Sequence, residues 1–522
     1  MIINKIKSKF ILDNNDKLFI NFASKYKKIQ SRNSILIEAP LEDKFFLIKN
    51  FLIGKYLSEK YNYKLVYYIN YNKLRELTSI FKKIYYKVAY NYFSFLKIKK
   101  QYDSFCNKLA FNCYYPKFFF IKKKTNLSFK EIFRYKYKGI VFGDLIVDSY
   151  LYYFHKFLYN KNINSIVNEK NFHSFFYNSI QLIENFFYTF EKNNIKILVN
   201  NYSGYLDHGI AARIAEKKKI PIYYLSETDR PFIKSFSSKH KRNYEEYKKK
   251  FFKYPNRNTK INAVNNILKK RFSGDKKFSL FYIKDNLFLK TNKKIFDNNK
   301  KTICVFAHCT LDSLYGFKDV IFLQQREWIL FTLKNLEKIS NQFNICFKIH
   351  PNETNEGEIY IRNLLKKIKN ITILKKSCLV SEIINSNLVA GITLHGTIGF
   401  ELAYHSIPTI YCNDSPYSAF SFCIKPKDIK DYKNILLTRI FRIKKYKIYK
   451  KESMIFYYMN FLDKNNGKVN NVDNLGFHNY DLNKFKDLKF KNYIKNLSKI
   501  KMKKIFNEFS RSEKIFDNFN VR

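Results

Sequence analysis

Three histidines each follow a short apolar run that closes in a turn: His308 after KTICVFA, His350 after NICFKI and His395 after LVAGITL. An imidazole fixed at such a point can donate a hydrogen bond to an oxyanion or exchange a proton near neutral pH. Behind His395 come Gly396, Thr397, Ile398, Gly399, Phe400 and Glu401. Gly396 and Gly399 have no Cβ, so an anionic group can come close to the backbone. The N–H groups of a helix start carry partial positive charge and suit phosphate. Thr397 can cap that helix and donate its hydroxyl. Glu401 lies four residues after Thr397, one too far for a capping box, which leaves it to accept hydrogen bonds from ribose hydroxyls. These residue types describe recognition of a nucleotide by its phosphates. The loop is not a full G-x-G-x-x-G, so an ordinary crossover with a Thr cap is the alternative.

The elements that must position these groups are legible nearby. Ile345 to Ile349, Leu388 to Ile392 and Thr409 to Cys412 are each too short for a buried helix and are bounded by turn residues, so each predicts a buried parallel strand. HGTIGFELAYHS predicts a turn and about two helical turns between the last two strands. Pro351 ends the first strand and holds His350 at its carboxyl end. KTICVFAH, from Lys301, predicts a further strand; a loop with Asp312 and Ser313 and a helix over Gln324 to Asn341 follow it.

The N-terminal half also has a strand–helix–strand plan. Ile35 to Ile37 predicts a strand ending in Glu38-Ala39-Pro40, Leu41 to Tyr61 a helix and Lys64 to Ile69 a second strand. Lys196 to Asn200 predicts another strand, and NYSGYLDHGIAARIAEKKKIP reads as loop, helix and stop. Tyr205, Asp207 and His208 fall in that loop, where they would contact an acceptor; the alternative for His208 is a helix-start residue with no chemistry. In GIVFGDLIVD a strand ends at Gly143-Asp144, and Asp148 lies one helical turn on, on the same face. Two carboxylates so spaced suit a base and its orienter, or contacts to acceptor hydroxyls. The alternative for Asp144 is a helix cap.

The organisation expected is α/β: an N-terminal arm (1–30), a first Rossmann-like domain (31–230), a basic inter-domain connection (231–300), a second Rossmann-like domain (301–426) and a basic helical extension (427–522). Phe485 to Phe509 fits a basic amphipathic helix that suits a membrane surface, with a solvated helix packed on the two domains as the alternative. The 522 residues include 97 Lys or Arg against 43 Asp or Glu, a net charge of +54. The abundance of Lys, Asn, Ile, Phe and Tyr reflects A/T-rich codons in part, but codon bias does not explain the charge imbalance. Such a field attracts anions. Nucleic acid is not expected, because the basic residues are spread along the chain without a finger, RRM, KH or helix-turn-helix pattern. An anionic membrane surface fits better. Met1 to Lys17 has no apolar h-region and no run of eighteen apolar residues occurs, so a cytoplasmic protein peripheral to the inner membrane face is expected. The eight cysteines show no metal spacing and read as small core residues.

KIHPNE, the later GTIGFE helix start and IPTIY resemble bacterial surface-polysaccharide glycosyltransferases carrying an HP motif, among them capsular Kdo-transferase-like and sialyltransferase-like proteins. CVFAHCTLDSLYGF, REWILFTL, GIVFGDLIVDSYL, YLDHGIAARIAEKKKIPIYYL and NSILIEAPLEDKFFLIKNFLIGKYLSEKYNYKLV are similar to that group in the same order, over about residues 31 to 425. The resemblance implies a GT-B arrangement, two doubly wound domains facing a cleft, with acceptor on the first and nucleotide sugar on the second. It implies transfer of a sugar, CMP-activated donors included, to a growing surface polysaccharide or lipid-linked glycan. On that reading His350, Pro351, Gly396, Thr397 and Gly399 serve the donor phosphates, with His308 and His395 nearby and Glu401 on ribose. Tyr205, Asp207 and His208 face the acceptor. The sialyltransferase pattern has an acidic pair and a Gly upstream of HP. Here TLDS offers Asp312 alone, so the base is Asp144 or Asp312, with Asp148 second. No cofactor or metal is implied. A GT-B sugar-nucleotide epimerase, a glycerophosphotransferase and a basic assembly scaffold are the competing readings.

Overall fold

Parallel strands buried on both faces need apolar residues at consecutive positions, not at alternate ones. Ile35, Leu36 and Ile37 meet this condition, as do Ile303, Cys304 and Val305, all fully buried. Each lies on the strand that begins one of two parallel sheets. The computed structural model describes residues 29–39, 44–69, 112–114, 127–154, 163–225, 232–238, 246–273, 288–289, 291–310, 321–322, 325–394, 396–413, 417–462 and 510. Asp312, His395 and the segment 485–509 lie outside the described residues, as do positions 1–28 of the expected arm.

The chain divides into two compact units, the first comprising Met1–Lys241 and Lys464–Arg522 and the second Arg242–Asp463. The first contains β1 (Ser34–Ala39), α1 (Lys44–Tyr61), β2 (Lys64–Ile69), β3 (Asn112–Tyr114), α2 (Phe129–Phe133), β4 (Lys136–Tyr137), β5 (Ile140–Val141), α3 (Gly143–Tyr153), α4 (Lys170–Lys192), β6 (Ile195–Asn200), α5 (Tyr205–Lys217), β7 (Ile222–Leu225) and β8 (Phe232–Ser235). Its sheet runs β3-β2-β1-β6-β7-β8, parallel except for the antiparallel β7–β8 pair. Gly54 lets α1 lie against Ile37, because a Cβ there would collide with that side chain.

The second unit contains α6 (Glu246–Phe252), α7 (Arg257–Phe272), β9 (Lys301–Phe306), α8 (Gln325–Glu337), β10 (Phe343–Lys348), α9 (Asn355–Leu365), β11 (Thr372–Leu374), α10 (Val380–Asn385), β12 (Leu388–Thr393), α11 (Ile398–Tyr404), β13 (Thr409–Tyr411), β14 (Cys423–Ile424), α12 (Ile429–Leu437) and α13 (Lys447–Tyr457). Its sheet runs β11-β10-β9-β12-β13-β14 and is parallel throughout. Both units are therefore doubly wound, Rossmann-like αβ folds, as the sequence predicts. Among the described residues no helix is long and apolar enough to cross a membrane.

The boundaries differ from those expected. Residues 246–272 are helical and belong to the second unit. Tyr247, Phe251, Val264 and Leu268 pack with Phe400, Tyr404, Phe456 and Met459 in one buried cluster. The same cluster takes in α13, so residues 427–462 complete the second domain instead of extending beyond it. The sequence missed this because the apolar positions of α6 and α7 are diluted by lysine and asparagine.

A buried ion pair anchors the arrangement: Arg271 on α7 contacts Glu401 on α11, with the two side chains 3% and 4% exposed. Removing one partner of such a pair strands a charge in the interior, at about 3–5 kcal/mol. Arg271→Met or Glu401→Gln alone is expected to lower denaturation stability by about that amount, and Arg271→Met with Glu401→Leu to recover most of it. Single variants as stable as the parent in urea titration would contradict this account.

Candidate functional site

In a doubly wound sheet the crossover helices leave a central strand in opposite directions. A crevice opens at the carboxyl ends of the two strands where the order reverses. In the second unit those strands are β9 and β12. His308 lies two positions past the end of β9 and His350 two past the end of the adjacent β10; Gly396 and Thr397 follow β12. His308, His350, Gly396 and Thr397 thus share one sheet edge. The His308 and His350 rings approach edge to face, with centroids 6.1 Å apart and planes at 66°.

Several bonds fix these imidazoles. The backbone N–H of Asn352 donates to His350 Nδ1 at 3.2 Å, which puts the ring proton on Nε2 and makes that nitrogen a donor. Gln325 Nε2, at the start of α8, donates to the His308 carbonyl at 2.6 Å. The residue His308 keeps some exposed surface, but its ring is enclosed, and burial pulls its pKa down from 6.5 to about 4. His308 is therefore neutral at pH 7, a hydrogen-bonding group and not a cation.

Glu353, within the KIHPNE stretch, joins the loops after β9 and β10. Its buried carboxylate accepts from the Thr310 N–H at 2.8 Å, the Thr310 hydroxyl at 2.7 Å and the Thr354 N–H at 3.0 Å. Gly357 makes room for it, since a Cβ there would collide with that carboxylate. Lys348, buried at the end of β10, donates to the carbonyls of Ile349, Lys375 and Lys376 at 3.0, 3.1 and 2.7 Å and so ties β10 to the end of β11. Burial pushes its pKa down to about 8. Lys376 supplies a part-exposed cation just past β11, bonded to Asn355 Oδ1 at 2.6 Å. Sequence reading assigned no role to Glu353, Lys348 or Lys376. For Lys348 and Lys376 the available signal was a charged residue ending or closely following an otherwise apolar strand; Glu353 lies five residues past β10 and had no such signal.

Three expectations for the Gly-Thr loop change. Gly399 is required for packing: a Cβ there would collide with the Tyr411 hydroxyl. Its absence of a side chain therefore serves β13 and not a ligand. Thr397 occupies the N-cap position with helical backbone angles and makes no capping hydrogen bond; α11 has only seven residues, so its dipole is weak. Glu401 is committed to Arg271 inside the core, where burial raises its pKa and the guanidinium counters the rise, so it is not presented to a ribose. Gly396 keeps its expected character: a Cβ would meet only Thr393 Oγ1 at 3.6 Å and Ile398 Cγ2 at 3.7 Å, ordinary contacts that leave space beside the backbone.

The first unit reverses its strand order between β1 and β6, and a polar cluster occupies that edge. Glu38, fully buried near the end of β1, has Oε1 2.5 Å from His208 Nδ1. Its Oε2 accepts from the Asn201 N–H at 2.8 Å. Asn50 donates to the Glu38 carbonyl at 2.5 Å and to Asn201 Oδ1 at 3.0 Å. Tyr68, at the end of β2, donates to Asn200 Oδ1 at 3.1 Å; burial, then Glu38 and Asp207, push its pKa well up. Tyr205, Asp207 and His208 form the first turn of α5 and not the loop before it. The Tyr205 ring lies 4.8 Å from the Tyr152 ring, tilted by 35°.

Asp144 does not end a sheet strand. β5 belongs to a separate two-stranded ribbon with β4, and Asp144 lies in the first turn of α3. Both its oxygens accept from Arg213, at 2.5 and 2.6 Å, clamping α3 to α5. A carboxylate so engaged is committed to joining the two helices. Asp148 is 6% exposed inside the same helix pair. Among the described residues no group of His, Cys, Asp and Glu is gathered for a metal ion.

No protein-family model matches the chain, and no curated protein matches it. Among solved structures it is similar to a β-Kdo 2,7-transferase, KpsC, from Thermosulfurimonas dismutans, at 12% identity over 52% of this chain and 79% of that one, with a TM-score of 0.29. It is also similar to a UDP-GlcNAc 2-epimerase from Neisseria meningitidis bound to UDP-GlcNAc, at 12% identity over 83% and 96%, TM-score 0.26. A UDP-GlcNAc 2-epimerase from Methanocaldococcus jannaschii matches at 13% identity over 79% and 92%, TM-score 0.28. Likenesses this weak decide no activity.

His405 shares the fate of His308: burial first, then Lys450 and Lys445, lower its pKa from 6.5 to about 4. Unfolded, both rings take up a proton near 6.5; folded, they resist until about 4. Their stabilising contribution is complete above pH 6.5 and is lost as pH falls towards 4, on the order of 3 kcal/mol per ring at most. The melting temperature is expected to drop across that window, and His405→Phe to flatten part of the drop. A parent protein with the same melting temperature at pH 7 and pH 4.5 would contradict this.

Proposed function

We propose that the protein is a glycosyltransferase that takes a sugar from a nucleotide-sugar donor and passes it to a surface polysaccharide or lipid-linked glycan. One observation supports this most: the imidazoles that follow β9 and β10 approach edge to face at the carboxyl edge of the second sheet, the edge from which the Gly396 loop also leaves β12. On this reading His350 donates from Nε2 to a donor phosphate oxygen, and stabilises it more strongly as the phosphate departs and gains charge. The bare Gly396 backbone and the Thr397 hydroxyl take further phosphate oxygens, and Lys376 adds a cation at the same edge. His308 holds His350 in place and contributes no charge. Glu353 keeps the loops of both histidines in register.

The excess of basic residues suits a lipid-linked acceptor at an anionic membrane face. The segment 429–451 adds exposed Ile429, Phe441, Tyr446 and Ile448 among lysines and arginines. Co-sedimentation with phosphatidylserine vesicles but not with phosphatidylcholine vesicles is expected; equal binding to both would remove the membrane from the proposal.

The donor is to be found by thermal shift against CMP-, UDP- and GDP-sugars, since a ligand that binds only the folded state raises the melting temperature. His350→Ala is expected to abolish transfer of the sugar so identified, and the shift it causes, while leaving the unliganded melting temperature unchanged. Unaltered turnover in that variant would overturn the assignment. Turnover of the nucleotide sugar without any acceptor would favour an epimerase.

A further inference from the structure

We propose that Tyr152, Tyr202 and Tyr205 form an aromatic platform that binds a glycan chain through the apolar faces of its uncharged pyranose residues. The proposal deepens the transferase reading by naming the chemical class of the acceptor, and all its residues lie in the first unit. The platform stands at the carboxyl edge of that unit's sheet, where the strand order reverses between β1 and β6. Tyr202 lies two positions past the end of β6, Tyr205 opens α5 and Tyr152 belongs to the last turn of α3. The Tyr205 ring centroid is 4.8 Å from that of Tyr152 and 6.4 Å from that of Tyr202, with planes tilted by 35° and 40°. Tyr202 is 38% exposed, and Tyr152, Tyr205 and the adjoining His208 are half-buried.

The local backbone is shaped around these rings. Gly204 makes room for Tyr202, since a Cβ there would collide with its ring. Tyr205 has a left-handed backbone with φ of 55°, a strained conformation for a residue with a Cβ. Elsewhere among the described residues that conformation is taken mostly by asparagine, as at Asn62 and Asn194, and Tyr205 is the one aromatic residue to adopt it. A tyrosine kept where glycine or asparagine would sit without strain points to a use for its ring. Beneath the rings α3 and α5 are clamped together. Arg213 binds both oxygens of Asp144, the Ser149 hydroxyl accepts from the Leu206 N–H at 2.7 Å, and Gly209 lets Leu145 approach α5. Tyr152 lies one turn beyond Ser149 and Tyr205 directly precedes Leu206, so the clamp sets their rings side by side before any ligand arrives.

The chemistry of the edge selects the occupant. One face of a pyranose carries several C–H groups, which are drawn to the electron-rich face of an aromatic ring. The sugar hydroxyls need polar partners, and His208 offers one: its ring meets that of Tyr202 edge-on at 5.9 Å and its side chain is 23% exposed. Rings tilted against one another leave no parallel slot for a flat nucleobase. Glu38, near the end of β1, and Asp207, in the first turn of α5, lie at the same edge. Their carboxylates disfavour phosphate-bearing chains and acidic sugars.

Binding is measured by isothermal titration calorimetry on the whole protein without a donor, apart from sugar transfer. The parent is expected to bind at least one neutral tetrasaccharide of glucose, galactose, mannose or N-acetylglucosamine, and to bind it less tightly once a sialyl residue is added. Tyr202→Ala is expected to weaken neutral binding about tenfold while keeping the thermal shift caused by the nucleotide sugar. Tyr205→Gly removes ring and strain together, so it should weaken binding similarly and melt at or above the parent's temperature. Tyr188→Ala, at an exposed tyrosine on α4, is expected to leave binding unchanged. A parent that binds none of the neutral tetrasaccharides would overturn the platform and leave the transferase reading standing, as would Tyr202 and Tyr205 variants that bind as tightly as the parent. Tighter binding of the sialylated glycan would overturn the restriction to uncharged sugars. Tyr202→Ala weakening the binding of oligothymidylate but not of the sugars would overturn the proposal in favour of a nucleobase surface. If no nucleotide sugar raises the melting temperature, the transferase reading falls, while glycan binding lost in Tyr202→Ala would keep the platform.

Discussion

A doubly wound sheet parts its crossovers to either side of one strand, and that parting governs the rest of this structure. β1 and β9 are those strands, and each is apolar and buried on both faces. Helices cover the faces, but nothing in the winding covers the carboxyl ends where the order reverses. Backbone and side-chain polar groups collect there because they have no other place near the core. In the second unit the gap is bordered by His308, His350 and Gly396, and in the first by Glu38, Asn200, Asn201 and His208.

Polar groups beside a dense apolar core must be paired, and how they are paired separates scaffold from chemistry. Glu401 and Asp144 each take an arginine, with geometry that commits the carboxylate to joining two helices. Glu353 takes N–H and hydroxyl donors that join two loops. Glu38 takes an imidazole. The first three fix where things are, whereas the fourth places a proton-exchanging group at a sheet edge. Burial acts on His308 as well and holds it neutral, so that ring offers a directed hydrogen bond and no positive charge.

Much of the fold was readable from local pattern. The runs at Ile35, Lys64, Lys196, Lys301, Ile345, Leu388 and Thr409 all became strands of the two sheets within a residue or two of where periodicity put them, because a buried parallel strand needs an unbroken apolar run. What local pattern cannot carry is partnership across the chain. Glu401 looked available four residues beyond Thr397, but its partner Arg271 lies on a lysine-rich helix assigned to a connection. Gly399 looked like a phosphate glycine until the Tyr411 hydroxyl occupied the space of its missing Cβ. Asp144 looked like a strand-end acid because Ile140 and Val141 are β, but their ribbon is not part of the sheet. Glu38 drew no notice, although a charge near the end of a wholly buried strand is a signal, since its imidazole lies in a different element of the unit.

The central claim is that the second unit holds a nucleotide sugar by its phosphates at the ends of β9, β10 and β12. The most direct measurement is an electron-density difference map from crystals of the whole protein soaked with the nucleotide of its donor. Phosphate density within hydrogen-bonding reach of His350 Nε2 and the Gly396 backbone is the predicted result. Phosphates bound at the opposite edge of that sheet, or on the first unit, would contradict the account.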